Sequence, residues 1–224
     1  MANSPLGCDI AELARGLTEL PPPEGVYFFA GLLDGQINGQ TLHYLFAIMR
    51  DAIAEQAKSP WAALYAPLAT VGEDAGDFPL HCDMYVPEML WNVFEDVPRD
   101  GSGAAIFLQT KELLRILDKM KSFPRPLLNS VRYCFTTPLE NDRYKWLYDK
   151  LHGQKHAWTA ALGRRLSKRQ IRISMRKGDG YLVHDRRWLH GREEPTIAVS
   201  KKRVHRLVFD VVSSACGDPS AAGD

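Results

Sequence analysis

The stretch GDGYLVHDRRWLHGR, from Gly178 to Arg192, is the part of the sequence that decides the fold. Its glycines predict a turn, and the apolar run YLVH after them predicts a buried strand. His190 stands near the end of this stretch. Far upstream, FPLHCDMYVPE (Phe78–Glu88) places His81 and Asp83 at the end of another short apolar run. The two stretches together raise the question of a shared metal site.

Strand geometry allows His81 and Asp83 to act together. Alternate side chains of a strand project to one face, so these two share a face and Cys82 points to the other. Such a pair arises often by chance, but a histidine from a facing strand, His190, completes a set of two imidazoles and one carboxylate. That set leaves adjacent metal positions open, which suits Fe(II) oxygen chemistry. Two histidines and an aspartate also bind zinc, so a zinc hydrolase is an alternative.

Composition places the chain among globular proteins. It has 224 residues, 45% hydrophobic and 25% charged, with a net charge of +1. We expect one domain over residues 1–212, with a helical part over about 1–60, and a disordered tail at 213–224. The near-neutral charge argues against nucleic-acid and membrane partners. No long apolar run and no secretory signal is visible, and the scattered cysteines predict free thiols in a cytoplasmic protein.

The periodicity of the sequence predicts helices first, then short strands with helical segments between them. Strands are expected at VYFFAGLL, Ala104–Leu108, LLNSVRYCFTT, YLVH and KKRVHRLVFDVVS. Helices are expected at Ile10–Leu17, at NGQTLHYLFAIMRDAIAEQAKS, from near Thr110, and in NDRYKWLYDKLHGQKHAWTAALGRRL. This pattern favours an α+β protein built on a double-sheet barrel or jelly roll.

Four pieces of the sequence resemble one enzyme family. GDGYLVHDRRWLHGR resembles the second half of the signature of the Fe(II)/2-oxoglutarate-dependent dioxygenases, in their taurine dioxygenase and clavaminate synthase-like branch. GSGAAIFLQTKELL resembles that branch's glycine-rich turn and strand, and KKRVHRLVFDV its basic final strand. Together with the His81 and Asp83 pair, these segments have the order and the spacing of the family's motifs, from about Leu80 to Val212.

The resemblance implies a double-stranded β-helix, a cupin-like jelly roll with flanking helices. It implies Fe(II) held by His81, Asp83 and His190, with 2-oxoglutarate as cosubstrate and O2. The implied reaction couples decarboxylation of 2-oxoglutarate, giving succinate and CO2, to hydroxylation, desaturation or cyclisation at an unactivated C–H bond. The presence of Asp83 favours a hydroxylase over a halogenase, because halogenating members carry a small residue there.

The far carboxylate of 2-oxoglutarate requires a cation, preferably the fork of an arginine. By the resemblance, Arg203 and Arg206 are equal candidates, and Lys202 is a third choice. The threonine that the family places near this carboxylate falls here on Ala104 or Ala105. We therefore expect the cosubstrate to be bound differently here, with Ser102, Thr110 or water in place of that threonine.

Residues around the motif have expected roles of their own. Asp185 and Arg187 are expected to orient the His190 loop. Arg192 is expected to be structural or to lie near the cosubstrate. Side chains that the sequence suggests for substrate binding are Tyr85, Asn129, Arg132, Arg172 and Arg176, the last two sharing a strand face with Ser174. A solvated face is the competing interpretation of these polar residues.

The expected partner is a small molecule, such as an amino acid or a biosynthetic intermediate, and the sequence does not indicate an oligomeric state. Three other classes stay open. Against a zinc hydrolase, the sequence has no H-E-x-x-H motif and no obvious general base. For a non-catalytic jelly-roll binding or sensor module, the presence of all three ligands argues against loss of the metal but not against a sensing role. A protein or nucleic-acid demethylase is weakened, in its nucleic-acid form, by the absence of a basic stripe.

Overall fold

The computed structural model describes residues 26–30, 39–56, 63–71, 78–83, 89–95, 97–98, 100–136, 149–153, 156–196 and 202–209. The strands are β1 (Val26–Phe29), β2 (Ala63–Val71), β3 (Phe78–His81), β4 (Met89–Phe94), β5 (Ala105–Gln109), β6 (Ile171–Ile173), β7 (Gly180–His184), β8 (Trp188–Arg192) and β9 (Lys202–Phe209). The helices are α1 (Gly39–Gln56), α2 (Thr110–Asp118), α3 (Arg125–Thr136) and α4 (Thr159–Ser167), with a π-helical turn at Asp149–Gly153. The expected helix Ile10–Leu17 and the tail after residue 212 lie outside the described residues.

Two antiparallel sheets form the framework. One has the order β1-β7-β4-β9-β2, and the other has the order β3-β8-β5-β6. From β3 to β5, and again from β6 to β9, successive strands alternate between the two sheets. This alternation is the winding of a jelly roll, so the predicted α+β double-stranded β-helix with flanking helices is confirmed.

The space between the two sheets is filled by alternate side chains of facing strands. Leu90 and Phe94 of β4, Phe107 of β5 and Tyr181 and Val183 of β7 belong to this core. The rings of Phe107 and Tyr181 meet edge to face, with centroids 4.9 Å apart at 82°. Because strand residues alternate, the neighbours of these residues point to the outer faces of the sheets.

Helices cover the outer face of the four-stranded sheet. A cluster of buried residues joins Leu80, Ile106 and Leu189 of the strands to α2, α3 and α4. The predicted strand at LLNSVRYCFTT is wrong, because this segment forms α3. Leu128, Val131 and Cys134 are the buried side chains of α3, and their spacing of three residues suits one helix face.

The five-stranded sheet is covered by α1, as its periodicity predicts. Phe46 of α1 is fully buried and stacks on Trp91 of β4, with ring centroids 5.1 Å apart at 28°. Among the helices that the structure describes, none is both long and apolar enough to cross a membrane.

A glycine-rich turn sets β7 against β4. Gly178 has a positive φ of 87°, which a residue with a side chain rarely adopts. At Gly180 an added Cβ would lie 2.5 Å from the backbone oxygen of Asn92, so only glycine allows this close approach of the two strands. The turn therefore fixes the register that places Tyr181 opposite Asn92.

Candidate metal centre

Three predicted ligands meet at the inner face of the four-stranded sheet. His81 ends β3 and pairs across the strands with His190 of β8, and their ring centroids lie 4.4 Å apart. Asp83 follows two residues after His81. One ligand atom from each of His81, Asp83 and His190 lies within 4.8 Å of the others. The histidines are 4% and 2% exposed, so the cluster is shielded from bulk water.

The hydrogen bonds of His81 fix its tautomer. Its Nδ1 lies 2.8 Å from the carbonyl oxygen of Pro79. A carbonyl oxygen only accepts, so Nδ1 carries the proton and Nε2 carries the lone pair. Burial, followed by the electrostatic effect of the neighbouring His190, lowers the pKa of His81. The ring is therefore neutral at neutral pH, which is the form that binds a metal.

Asp83 is held in its ionised form. Burial opposes the charge, but the neighbouring side chains of His81, His190 and Arg206 outweigh it and hold the pKa of Asp83 well below its usual range. Its Oδ1 lies 3.4 Å from Nε2 of His81, and its Oδ2 lies 3.7 Å from Nε2 of His190. The carboxylate thus stands between the two imidazoles.

Asp185 supports this arrangement from the loop between β7 and β8. It is fully buried, and its Oδ1 accepts a hydrogen bond of 2.8 Å from the backbone N–H of Asp83. The same oxygen lies 3.3 Å from Nε2 of His190. These contacts agree with the orienting role expected for Asp185.

The first residue of α2 anchors the same loop. Thr110 donates its backbone N–H to the carbonyl of Arg187 at 2.9 Å and its hydroxyl to the carbonyl of Arg186 at 3.0 Å. Arg187 thus acts here through its backbone, and Thr110 holds this loop, while its expected role in cosubstrate binding stays a prediction.

The donor set fits a divalent metal ion. Nε2 of His190 is buried and makes no hydrogen bond among the described residues, although carboxylate oxygens of Asp185 and Asp83 lie 3.3 and 3.7 Å from it. A buried nitrogen without a partner is costly unless a metal or another group uses its lone pair. The thiol of Cys82 lies on the opposite face, where it contacts the carbonyl oxygen of Trp188 at 3.6 Å, and burial raises its pKa. The candidate ligands are therefore two imidazoles and one carboxylate, the set that the sequence suggests.

The facing sheet contributes a cation to the site. Arg206 of β9 contacts Oδ2 of Asp83 through Nη1 and donates from Nε to Oδ1 of Asn92 at 2.9 Å. Both side chains of the ion pair are largely buried, at 11% and 13% exposure. Tyr181 of β7 lies in the same interior, and its burial raises its pKa to about 12, so the phenol stays protonated.

Asn92 and Tyr181 were not predicted as site residues. A signal for Asn92 exists in the sequence, because it is the polar residue of the otherwise apolar run MLWNVF. A buried polar residue in such a run needs a partner inside the protein. That partner, Arg206, is distant in sequence and appears only when β4 and β9 pair.

Several other residues that the sequence suggests near the cosubstrate have surroundings that the structure describes. Ser102 bonds Asp100 at 2.7 Å and accepts from the backbone of Thr196, so it belongs to a turn. Ala105 is buried in the core between the sheets. Arg192 is half-buried, and burial lowers its pKa. Tyr85 and the side chains of Lys202 and Arg203 lie outside the described residues.

The structure does not bring the remaining substrate candidates to the metal ligands. Arg172 is 62% exposed and pairs with Glu193 at 2.5 Å. Arg176 is exposed in the turn before β7, and Asn129 and Arg132 are exposed on α3. Arg132 pairs with Asp118 at 3.1 Å. Because α3 packs on the outer face of the four-stranded sheet, its polar residues cannot line the interior.

Comparison with known proteins returns only distant likenesses. The sequence matches no protein-family model and no curated protein. Among solved structures, an asparagine oxygenase has 12% identity and a TM-score of 0.49, over 91% of this chain and 79% of its own. PvcB from Pseudomonas aeruginosa has 17% identity and a TM-score of 0.45, over 89% and 79%. The non-heme iron oxygenase OrfP, in complex with Fe and alpha-ketoglutaric acid, has 12% identity and a TM-score of 0.44, over 91% and 80%.

These solved proteins are oxygenases, and PvcB is described as dependent on Fe and alpha-ketoglutarate. That is the class of enzyme that the sequence motifs resemble. With TM-scores below 0.5, the likenesses decide neither the reaction nor the substrate of this chain.

Proposed function

We propose that this protein is an Fe(II)- and 2-oxoglutarate-dependent oxygenase that hydroxylates an unactivated C–H bond of a small molecule. The observation that carries the proposal is the convergence of His81, Asp83 and His190 inside the jelly roll, with their ligand atoms within 4.8 Å. Three protein ligands of this type leave positions open for a bidentate keto acid and for O2. With iron and 2-oxoglutarate bound, the site would supply the oxidising power for C–H cleavage, and the keto acid would end as succinate and CO2.

The protein residues prepare the site. His81 presents its lone pair at Nε2 because Pro79 holds the proton on Nδ1. Asp83 supplies the negative charge, and Asp185 fixes the backbone that carries it. The packed rings of Phe107 and Tyr181 limit the entry of water between the sheets. A dry, ordered site of this kind favours oxidation of the bound substrate over side reactions.

The far carboxylate of 2-oxoglutarate requires a cation inside the barrel. Arg206 meets that requirement, since its guanidinium is largely buried and lies beside Asp83. Arg203 stays the second candidate. We expect Arg206→Ala to raise the concentration of 2-oxoglutarate needed for half-maximal activity strongly, and Arg203→Ala to change it little. The opposite result would assign the role to Arg203.

A zinc hydrolase is less well supported. Its bound water needs a general base, and the described carboxylate beside the ligands is Asp185. Asp185 already accepts a hydrogen bond from the backbone of Asp83 and approaches His190. It is therefore poorly placed to accept a proton from water.

The proposed substrate class comes from the enzyme family that the sequence motifs resemble. We propose a small polar molecule, such as an amino acid or a biosynthetic intermediate, that enters between the two sheets. We also propose a cytoplasmic location, which agrees with the buried Cys82 and Cys134 being in the thiol form.

The deciding experiment is anaerobic absorption spectroscopy of the purified protein with Fe(II), before and after 2-oxoglutarate is added. A visible charge-transfer band that needs both components would show that the metal and the keto acid meet at one site. Asp83→Ala should abolish the band, and Asp118→Ala, which removes an exposed carboxylate, should keep it. No band, combined with tight zinc binding that depends on Asp83, would reject the oxygenase in favour of the hydrolase. If the band appears, succinate release across a panel of amino acids is the assay for the substrate.

A further inference from the structure

A second concavity lies between α2 and α4, apart from the metal ligands. Its volume is about 580 Å³. We call it the basic groove, and it is lined by Glu112, Arg115, Ile116 and Lys119 on one side and by Ala161, Arg164, Arg165, Lys168 and Arg169 on the other. Nothing in the proposed oxygenase reaction uses these residues, so the groove needs a separate explanation.

The groove gathers positive charge that the chain as a whole does not have. Six of its nine lining residues are lysine or arginine and one is acidic, whereas the whole chain has a net charge of only +1. Glu112 lies 2.6 Å from Arg115 and 3.9 Å from Arg169. The other four cations, Lys119, Arg164, Arg165 and Lys168, form no ion pair with any residue in the part of the chain that the structure describes.

Helix electrostatics explain part of this pattern. Cations near the carboxyl end of a helix interact favourably with its dipole, and both α2 and α4 have basic residues in their last turn. That effect acts on each helix alone. The dipole effect gives no reason for both helices to direct their cations into the same concavity, where like charges repel. The convergence therefore indicates a negatively charged ligand.

We propose that the basic groove binds one acidic amphipathic helix of a partner protein. The apolar lining residues of the groove are Ala161 and the largely buried Ile116, and the cations line it from both helices. A helix with one apolar stripe and acidic residues on both sides of that stripe matches this arrangement. Each wall is a helix of nine residues, about 13.5 Å long at 1.5 Å per residue, which suits two to three turns of a partner helix.

A nucleic acid fits the groove less well. Proteins that hold single strands combine a basic track with aromatic side chains on which bases stack. None of the residues that line the basic groove is aromatic. The charge is also confined to a short concavity instead of following a long stripe.

The groove has a structural connection to the metal ligands. One of its walls is α2, whose first residue, Thr110, holds the carbonyls of Arg186 and Arg187 in the loop beside Asp185. A partner in the groove therefore contacts the helix that anchors this loop. The docking proposal itself does not depend on the metal or on the oxygenase reaction.

The test uses a fluorescein-labelled helical peptide of 14 residues, with a leucine stripe flanked by glutamates, and a matched peptide with glutamines instead. Fluorescence anisotropy measures binding of each peptide to the full chain. We expect the acidic peptide to bind at least tenfold more tightly than the neutral one, and its affinity to fall with added salt. Arg164→Gln/Lys168→Gln should weaken its binding at least tenfold. Lys121→Gln/Lys177→Gln, which removes two exposed cations outside the groove, should leave it unchanged.

The alternatives are measured on the same proteins. A labelled 12-nucleotide RNA and vesicles of phosphatidylglycerol are titrated beside the peptides. Tighter binding of either one, lost in Arg164→Gln/Lys168→Gln, would overturn the protein-helix assignment. Equal binding of the acidic and neutral peptides, or no binding of the acidic peptide, would also overturn it. Circular dichroism melting checks that each variant is folded, and Arg165→Gln is a second, milder variant.

Discussion

Replacing Arg206 by methionine is the most informative test of how the metal site is held together. The ion pair between Arg206 and Asp83 is only 11% and 13% exposed, so water cannot replace the lost partner. Removing one member of such a buried pair costs about 3–5 kcal/mol, because the other charge stays buried and uncompensated. Methionine keeps much of the side-chain volume, so packing changes little. We expect the metal-free variant to lose about 3 kcal/mol or more of its unfolding free energy.

A bound divalent ion should reduce that loss. The ion binds the carboxylate of Asp83 and replaces the charge that Arg206 supplied. What stays lost is the hydrogen bond from Nε of Arg206 to Asn92, an interaction worth about 0.5–1.5 kcal/mol. In saturating Mn(II), the difference between wild type and Arg206→Met should therefore shrink to about 0.5–1.5 kcal/mol.

The assay is urea unfolding followed by tryptophan fluorescence, with and without Mn(II). Arg125→Met is the matched control, because Arg125 pairs with Asp118 on the surface at 2.8 Å, with 66% and 50% exposure. Exposed pairs of this kind contribute about 0–1 kcal/mol. A metal-free loss in Arg206→Met that is no larger than in Arg125→Met would refute the reasoning. So would a loss that Mn(II) leaves unchanged.

Three further changes have clear expected results. Asp83→Ala should abolish Mn(II) binding, measured by calorimetry, while the circular dichroism spectrum stays that of the wild type; retained binding would remove Asp83 from the ligand set. Because the pKa of His81 is lowered on folding, its contribution to stability is complete above the unfolded value of about 6.5 and is lost as the pH falls below it. Unfolding free energies measured from pH 8 to pH 5 should therefore decline below about pH 6.5, and the decline should be smaller in His81→Gln. Gly180→Ala should cost roughly 1–3 kcal/mol in urea unfolding, because the new Cβ would lie 2.5 Å from a backbone oxygen of the neighbouring strand. The control Gly163→Ala, where the Cβ meets nothing within 4 Å, should not destabilise the protein.

The convergence of His81, Asp83 and His190 was predictable from the sequence, although β3 ends at His81 and Asp83 lies just beyond the strand. The alternation of side chains placed His81 and Asp83 on one face and Cys82 on the other, and the structure has this arrangement. The motif around His190 supplied the remaining ligand from a distant strand. Local geometry and one resemblance were sufficient for this part of the site.

The failures have a common physical cause. Alternation indicates which residues share a face, but it does not indicate which face is turned inward. Arg172 and Arg176 were predicted to share a strand face, and both side chains are exposed. The strand β6 is an edge strand that ends at Ile173, and Ile173 is the residue that packs against the core between the sheets. Similarly, LLNSVRYC is a short apolar run that fits a strand or a helix. Packing against α2 makes it helical, which moves Asn129 and Arg132 to the outer surface.

In the proposed function Arg206 binds both Asp83 and the far carboxylate of 2-oxoglutarate, and its donors limit how it can do both. A guanidinium has five N–H donors, and here Nε bonds Asn92 while Nη1 contacts Asp83. An incoming carboxylate binds most strongly to two parallel donors, so it must compete with Asp83 for Nη1 or approach through Nη2. A divalent ion on Asp83 weakens that competition, because it takes over the negative charge that Arg206 now neutralises. We therefore expect glutarate, which lacks the keto group, to bind more tightly after Mn(II) has bound, as measured by calorimetry. The gain should vanish in Arg206→Met, and a gain of equal size in that variant would show that the cation for the carboxylate lies elsewhere.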